Sequence, residues 1–383
     1  MSLPLGAPLR TRGPVRVVGT GLLGTSAGLG LSARGLDVVL ADPSPAAAAL
    51  ARDLGAGRLA REGDAEPALV LVAAPPDVTA AVVAAELSAW PRAVVTDVAS
   101  VKRTVLAQLV AARADLTRYV GGHPMAGRER SGAVAGRGDL FAGRPWVLCP
   151  SPTSSAAALG AVRDLADDLG AAPLVMDAAE HDEAVALVSH LPQVAASLVA
   201  ARLRSAPESA VGLAGQGVRD VTRIAASDPA LWVQVLSANA APVATALRAV
   251  REDLDGVLAA LEQLAGEDLG GAAREGARTP TATGARAALA RAIADGREGR
   301  ERIPGKHGSA PTAYAVVAVL VPDAPGELAR LLAEVGEAGV NLEDLRLEHS
   351  PGQPVGLAEL SVLPGTRTRL EEELRSRGWS LQA

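Results

Sequence analysis

The stretch VRVVGTGLLGTS, residues 15–26, decides the fold of the first half of the chain. A short apolar run leads directly into three glycines in the spacing GxGxxG, at Gly19, Gly21 and Gly24. This array, between a strand and a helix, is typical of a dinucleotide-binding turn, in which backbone approaches a pyrophosphate and helix packs closely on strand. Leu22, within this turn, is also expected to contact the cofactor, and the unbonded N–H groups at the start of the helix would face the phosphates.

An acidic residue supports the same interpretation. The next apolar run, DVVLAD, ends at Asp42, which lies 23 residues after Gly19. A carboxylate at this place would accept hydrogen bonds from the adenosine ribose hydroxyls and repel a 2′-phosphate. The pattern therefore predicts NAD, in preference to NADP, as the cofactor. The alternative is a glycine-rich turn that binds nothing.

Residues 1–175 contain repeated apolar runs separated by Ala-rich helical segments: VRVVG, DVVLAD, ALVLVAAPP, AVVTD, RYVGG and PWVLCP. Continuous apolar strands alternating with helices predict an α/β domain with a doubly wound parallel sheet. The carboxyl ends of parallel strands meet at one edge, which holds the ligand crevice. We expect Ala74, Pro75 and Asp97, which end or follow two of these runs, to contact the cofactor.

His123 follows another of these runs, in a chain with only five histidines. The two glycines before it would let the backbone approach a ligand, and imidazole suits proton transfer near neutral pH. We therefore predict a catalytic role for His123. Ser100 lies at the same edge and could fix the imidazole tautomer by a hydrogen bond; the alternative is an N-cap for the helix that follows it.

From residue 176 to 265 strand signals vanish, and long Ala/Leu-rich helices predict an all-α domain that binds substrate and a second subunit. Within LVSHLPQ, Pro192 interrupts a helical pattern and would kink the helix beside His190. His190 is a candidate for the substrate pocket. A histidine tolerated at a kink is the alternative.

The stretch GQGVRDVTRIAASDP adds a cluster of charges to the helical domain. Arg219 and Arg223 are four residues apart on one helix face, which like charges disfavour unless an anion neutralises them. A substrate carboxylate is a suitable anion for a guanidinium. Asp220 could pair with Arg223, and a plain surface salt bridge is the competing explanation.

Two segments complete the chain. Residues 266–312 are rich in Gly, Arg, Thr and Pro and read as a linker with one possible helix; its basic tract could instead contact a partner. Residues 313–383 show the order β-α-β-β-α with a possible last strand at SLQA, which predicts a small α+β module.

Composition limits the classes of function. The net charge of −6 gives no polyanion-binding footprint, and only 2% aromatic residues argue against a nucleic-acid stacking surface. The single cysteine, Cys149, cannot form an internal disulfide. We find neither a signal peptide nor an uncharged apolar run of the roughly 20 residues needed to cross a membrane, and no metal site is expected. A cytoplasmic protein of two or three domains is predicted.

The motifs together resemble the prephenate/arogenate dehydrogenase family. The resemblance covers nearly the whole chain and rests on five stretches: GTGLLG (19–24), DVASVK (97–102), GGHPMAG (121–127), SHLPQ (189–193) and RDVTRIAASDP (219–229). The C-terminal module resembles an ACT domain, on the stretch PDAPGELARLLAEVGEAGVNLEDL.

The resemblance implies NAD+-dependent oxidative decarboxylation of prephenate to 4-hydroxyphenylpyruvate, a step of tyrosine biosynthesis. It implies that His123 accepts the proton of the substrate hydroxyl, that Ser100 orients it, and that Arg223 pairs with a substrate carboxylate. It assigns three further residues to the pocket: His190, Asp220 and Glu129.

The ACT-like module implies feedback control. By resemblance Gly326 and Asn341 would lie near its ligand cleft, and tyrosine is the expected effector. A purely oligomeric role for the module is the alternative, and a homodimer is expected in either case. Two functions compete with prephenate dehydrogenase: an arogenate dehydrogenase, and an NAD-binding amino-acid sensor without turnover.

Overall fold

Contacts between residues divide the chain into two compact units. The first consists of Met1–Ser205 with Thr222–Ala249, and the second of Ala206–Val221 with Val250–Ala383. The computed structural model describes residues 8–126, 132–269, 284–304, 314–349 and 354–382.

An eight-stranded sheet forms the centre of the first unit, with the strand order β3-β2-β1-β4-β5-β6-β7-β8. The strands are β1 (Val15–Val18), β2 (Val38–Ala41), β3 (Arg58–Leu59), β4 (Leu69–Val72), β5 (Val94–Asp97), β6 (Tyr119–Pro124), β7 (Pro145–Pro150) and β8 (Ala172–Val175). The six predicted strands are all present. β3 and β8 were not predicted, because β3 has only two residues and β8 is mostly exposed.

Helices cover both faces of this sheet. They are α1 (Leu22–Ser32), α2 (Pro45–Asp53), α3 (Pro76–Ala89), α4 (Arg103–Ala111) and α5 (Ala156–Asp168). Alternate strand residues enter different cores: Val15 and Val17 pack in one cluster, Val70 and Val72 in another. Burial on both faces explains the continuous apolar runs. The predicted α/β class is confirmed.

One pair of strands departs from the predicted parallel sheet. β6 and β7 are antiparallel, with His123 opposite Val147. A parallel return needs a crossover, usually a helix; between these strands the described residues form only a short 3₁₀ turn, Ala133–Ala135. The antiparallel partner also lengthens β6, so that His123 lies within the strand and not in the loop after it.

The helical region follows β8. Its helices are α6 (Ala178–Val185), α7 (Leu191–Arg202), α8 (Glu208–Val211), α9 (Gln216–Thr222), α10 (Pro229–Ala238) and α11 (Ala240–Leu269). The kink predicted at Pro192 takes the form of a π-helical turn, Ala186–His190, between α6 and α7. Such turns are frequent at functional sites.

The predicted linker, 266–312, is more helical than expected. Helix α11 continues to Leu269, and α12 occupies Ala285–Glu301, five residues beyond the predicted helical stretch ARAALARAIADG, residues 285–296. The first part of the basic tract at the end of this segment belongs to α12 and the turn after it, and residues 305–308 of the tract lie outside the described residues.

A four-stranded antiparallel sheet forms the C-terminal module in the second unit, with the order β10-β11-β9-β12. Its elements are β9 (Ala315–Pro322), α13 (Glu327–Glu337), β10 (Asp344–His349), β11 (Val355–Val362), α14 (Arg367–Ser376) and β12 (Ser380–Gln382). This is the βαββαβ arrangement of ferredoxin-like folds. The β-α-β-β-α order and the last strand were both predicted.

The two glycines of β6 have a structural reason that differs from the predicted one. A Cβ on Gly121 would lie 3.1 Å from Lys102 Cδ, and one on Gly122 would lie 2.5 Å from the Asp97 carbonyl oxygen and 2.9 Å from Trp146 Nε1. The glycines therefore make room for the protein's own buried side chains and backbone, not for a ligand.

We expect Gly122→Ala to destabilise the fold by roughly 1–3 kcal/mol, because the added methyl overpacks a site closed partly by backbone. The matched control is Gly160→Ala in α5, where a Cβ meets nothing within 4 Å; this change should stabilise by about 0.5–1 kcal/mol. Urea unfolding of both variants measures the difference, and equal stabilities would contradict the packing argument.

Candidate active site

The phosphate loop has two kinds of glycine. Gly19 has φ +98°, and a Cβ there would lie 2.4 Å from the Ala73 carbonyl oxygen; a Cβ on Gly24 would lie 1.9 Å from the Gly19 carbonyl oxygen. The protein itself requires both. A Cβ on Gly21 would meet nothing within 4 Å, and no side chain caps the start of α1 at Leu22. Open space before unbonded helix N–H groups fits a pyrophosphate.

Asp42 braces this loop. Its Oδ2 accepts hydrogen bonds from the backbone N–H of Thr20 (2.7 Å) and from Thr20 Oγ1 (2.9 Å), and its Oδ1 accepts one from the N–H of Ser44 (2.8 Å). The carboxylate lies at the end of β2, as predicted for a ribose contact. Holding the glycine turn is a second role, which the sequence did not reveal.

The remaining predicted cofactor residues have two different environments, one beside the glycine turn and one in the interior. Ala74 and Pro75 lie after β4 beside Gly19, whose missing Cβ would be 3.3 Å from Ala74 N. Asp97 is completely buried; it forms an ion pair with Lys102 and accepts hydrogen bonds from Tyr119 OH (2.7 Å) and Ala99 N (2.8 Å). The prediction that the Asp97 side chain contacts the cofactor is therefore wrong, because its carboxylate has no accessible surface.

A chain of three buried side chains lies at the carboxyl end of β6. His123 Nδ1 is 2.8 Å from His181 Nε2, and His181 Nδ1 is 2.8 Å from Asp182 Oδ1. The three residues are 9%, 0% and 1% exposed, in that order. His181 and Asp182 are on α6, so the helical region supplies two of the three groups.

This chain sets the tautomers. Asp182 can only accept as a carboxylate, so His181 donates from Nδ1 and its Nε2 is an acceptor. His123 must then donate from Nδ1, which leaves a lone pair on Nε2. Burial, followed by the charges of His181 and Lys102, holds the pKa of His123 well below its ordinary value of 6.5. At neutral pH His123 is thus a neutral imidazole with Nε2 as its basic atom.

Both interpretations of Ser100 need correction. Among the described residues, His123 Nδ1 bonds to His181 and not to Ser100. Helix α4 begins at Arg103 with Lys102 in the cap position and no side-chain cap, so Ser100 is not the N-cap either. Asp182 replaces that cap: its Oδ1 accepts from the N–H of Lys102 (2.8 Å) and its Oδ2 from that of Arg103 (2.9 Å).

His190, the last residue of the π-helical turn, is 1% exposed. Its Nδ1 accepts a hydrogen bond from Asn239 Nδ2 (3.1 Å), and the same amide donates to the carbonyl oxygen of Asp182 (2.7 Å). The ring meets that of Trp232 edge-on, with centroids 6.0 Å apart. Burial, the largest effect, lowers the pKa of His190. His190 is therefore a neutral donor at Nε2, and Asn239 holds it beside the hydrogen-bonded series His123–His181–Asp182.

Arg223 lies on an exposed 3₁₀ turn, Arg223–Ala226, which packs against α7. Ser227 Oγ, just after this turn, donates to Gln193 Oε1 at 3.3 Å. Gln193 is buried three residues after His190. The turn that carries Arg223 is thus hydrogen-bonded, through Ser227, to α7, which has His190 as its N-cap residue.

Two predicted substrate residues are not brought into this group. Asp220 is exposed and accepts a hydrogen bond from Gln216 Nε2 at 2.8 Å; its pairing with Arg223 stays a prediction. Glu129 lies outside the described residues. Sequence reasoning missed His181, Asp182 and Asn239. The adjacent His and Asp in EHDE were a visible signal for the first two, whereas Asn239 had none.

The fold and the site define a class of protein. A glycine turn that fits a pyrophosphate and a neutral, buried imidazole belong to the same parallel-sheet unit, on elements that lead to its carboxyl edge. Hydride acceptance and proton acceptance at one site are what a dinucleotide-dependent dehydrogenase requires.

The chain belongs to the prephenate dehydrogenase family. Residues 27–175 match the family model "Prephenate dehydrogenase, nucleotide-binding domain", and residues 177–273 match "Prephenate dehydrogenase, dimerization domain". A probable prephenate dehydrogenase, NovF, from Streptomyces niveus is 40% identical over 365 residues, which is 95% of this chain and 98% of that protein.

Two further comparisons agree. A cyclohexadienyl dehydrogenase from Zymomonas mobilis is 31% identical over 243 residues, covering 59% of this chain and 80% of that protein. The crystal structure of prephenate dehydrogenase from Aquifex aeolicus, in complex with hydroxyphenyl propionate and NAD+, is 29% identical with a TM-score of 0.59. It covers 67% of this chain and 92% of that one.

Two glycine variants separate cofactor binding from folding. Gly21→Ala should leave the melting temperature unchanged and weaken NAD+ binding by about 10-fold or more, because its methyl would occupy only the space left for the pyrophosphate. Gly24→Ala should lower both, because its methyl overlaps the Gly19 carbonyl. Calorimetric titration with NAD+ and thermal melts provide the two readouts. Unchanged affinity in Gly21→Ala would contradict this placement of the pyrophosphate.

Proposed function

We propose that this protein is an NAD+-dependent prephenate dehydrogenase that converts prephenate to 4-hydroxyphenylpyruvate. The predicted NAD-dependent dehydrogenase agrees with the family matches. The observation that carries the proposal is the position of His123 in the nucleotide-binding unit, with Nδ1 engaged and Nε2 basic. Such a group can take a hydroxyl proton while a hydride leaves the same carbon.

His123 Nε2 accepts the proton of the ring hydroxyl as the C–H bond on that carbon breaks. NAD+ bound at the glycine turn would supply the acceptor for the hydride. The ring carboxylate then leaves as CO2, and the electrons of the broken C–C bond complete the aromatic ring. His123 returns its proton to the phenolate oxygen, so the overall reaction releases no proton. Ser100, at the same edge, is proposed as a contact to the substrate hydroxyl.

The second substrate-binding group is Arg223. A guanidinium on an exposed turn fastened to α7 suits a carboxylate of a dianionic substrate. His190, with its Nε2–H, is proposed to line the same pocket. The predicted roles of Asp220 and Glu129 in substrate binding remain part of this proposal.

Arogenate is the alternative substrate, and it carries an ammonium in place of the side-chain keto group. The buried carboxylate nearest to His123, that of Asp182 behind His181, already accepts hydrogen bonds on both oxygens. It is therefore not available to pair with that ammonium. Prephenate is preferred because the two family models and the NovF relative carry that substrate in their names. A sensor without turnover would not need a basic Nε2 beside its cofactor.

Purified protein with NAD+ should produce NADH from prephenate faster than from arogenate. His123→Asn should lower kcat by about 10²–10⁴-fold, the contribution typical of general-base catalysis, and leave NAD+ affinity unchanged. Absorbance at the NADH band and calorimetry with NAD+ measure the two effects. Turnover of neither substrate would refute the enzyme and favour the sensor; normal turnover by the variant would refute the role of His123.

We propose that the C-terminal βαββαβ module is an ACT domain that binds tyrosine. Gly326, in the left-handed conformation at φ +92°, precedes α13, and Asn341 follows it. The 11-residue helix is about 16 Å long. The two residues thus flank α13 at its two ends, and both are proposed as contacts of the effector.

We also propose a cytoplasmic homodimer. The helical stretch Ala178–Ser205 is long and apolar enough by composition to cross a membrane, yet it carries His181 and His190 of the site. It lies within the match to the dimerization-domain model. Exposed apolar residues on it, such as Leu198 and Val199, are then subunit-interface residues.

Burial raises the pKa of Cys149 to about 12, so it stays an unreactive thiol.

Tyrosine should inhibit the wild-type enzyme, and Asn341→Ala should abolish that inhibition with kcat unchanged, because an exposed side chain outside the catalytic unit is removed. The control, Gln382→Ala on β12, changes the opposite edge of the same sheet and should keep the inhibition. Initial rates against tyrosine concentration decide. Equal inhibition of both variants would place the effector elsewhere.

A further inference from the structure

The buried pair His181–Asp182 forms more specific hydrogen bonds than packing alone requires. Each nitrogen of His181 has one partner at 2.8 Å: Asp182 on one side and His123 on the other. The three groups thus form a continuous hydrogen-bonded line from a buried carboxylate to the basic atom of the site. This line is not evident from the sequence, because His123 and His181 are 58 residues apart.

We propose that His181 and Asp182 are positioning residues that fix the tautomer of His123 and receive its Nδ1 proton during the reaction. This rests on the proposed function of His123 as the base. In the forward step the substrate O–H bond breaks and an N–H bond forms at His123 Nε2. At the same time the Nδ1 proton moves to His181 Nε2. His181 becomes an imidazolium against the Asp182 carboxylate, and His123 ends neutral with its proton on Nε2.

The charges around the relay favour this transfer. A positive charge on His123 is opposed by burial and then by the charges of His181 and Lys102, and these effects lower its pKa. One ring further back, the same charge lies against a carboxylate. Hydrogen bonds from His181 and from the N–H groups of Lys102 and Arg103 lower the pKa of Asp182 in spite of its burial, so it remains ionised. The reverse shift restores the proton for return to the phenolate.

Titratable groups from several elements of the described residues surround His181 and Asp182. His123 contacts His181 from β6. Lys102 and Arg103 contact Asp182 from the start of α4, and His190 ends the π-helical turn that follows α6. Lys102 is paired with Asp97. Asp182 is therefore the anion in direct contact with the relay.

The test compares His181→Gln with the wild type. The Gln amide oxygen can still accept from His123 Nδ1 and keep the ring in place, but it cannot take up the proton. We expect kcat to fall by about 10²-fold, the lower end of a general-base effect, with little change in KM. The acid limb of kcat/KM should move to lower pH, because protonation then falls on His123 alone. A merely structural role would not move that limb to lower pH, because the charge of His181 lowers the pKa of His123 and its removal would act in the opposite direction.

A second measurement does not depend on turnover. In wild-type protein labelled with ¹⁵N-histidine, the His123 shifts should be those of a neutral ring protonated at Nδ1; in Asp182→Asn that signal should be lost or mixed with the Nε2–H form. Glu183→Gln, the exposed neighbour, changes charge equally and should keep the wild-type tautomer.

The outcomes separate the two proposals. If His123→Asn is inactive while His181→Gln keeps wild-type kcat and acid limb, the relay is wrong and the base assignment stands. If His123→Asn is fully active, the base and the relay both fail. A wild-type His123 protonated at Nε2 overturns the relay whatever the turnover.

Discussion

The carboxylate of Asp182 is the interaction on which the site depends. It accepts hydrogen bonds from the N–H groups of Lys102 and Arg103 at the start of α4 and from Nδ1 of His181, and the Asp182 carbonyl accepts from Asn239. An isolated buried charge is costly, and this one is stabilised by the three donors to its carboxylate. A helix N-terminus, with its partial positive charge, is a suitable place for such an anion. The nucleotide-binding sheet and the helical region are thereby joined at the point where the chemistry takes place.

A second buried pair supports the first. Asp97 and Lys102 neutralise each other beneath β6, and Tyr119 completes the coordination of the carboxylate. Gly121 and Gly122 are small because this pair and Trp146 fill the space beside them. The loop from Asp97 to Lys102 therefore ends with its backbone aimed at Asp182. Removing Asp97 or Lys102 alone would leave the charge of the other unpaired in a buried environment.

The local parts of this arrangement could be predicted from the sequence. The glycine turn depends on neighbours within the β1–α1 segment and on the adjoining strand, and its residues are spaced as that geometry demands. The β-α-β-β-α order of the C-terminal module followed in the same way from hydrophobic periodicity. Asp97 was misassigned because an acid at the end of a parallel strand serves a cofactor and a buried lysine equally well. The direction of β7 was missed because it depends on the connection, which has no sequence period.

The relay could not be predicted, because its contacts join residues far apart in the chain. His123 in β6 meets His181 in α6 only after the helical region packs on the sheet edge, and Asn239 arrives from a helix later still. Burial alone would make His123 a poor base, since it disfavours the charge that proton acceptance creates. A neighbour that can accept the displaced proton removes that conflict. The buried imidazole can then remain neutral before and after each transfer, and the charge exists only beside Asp182.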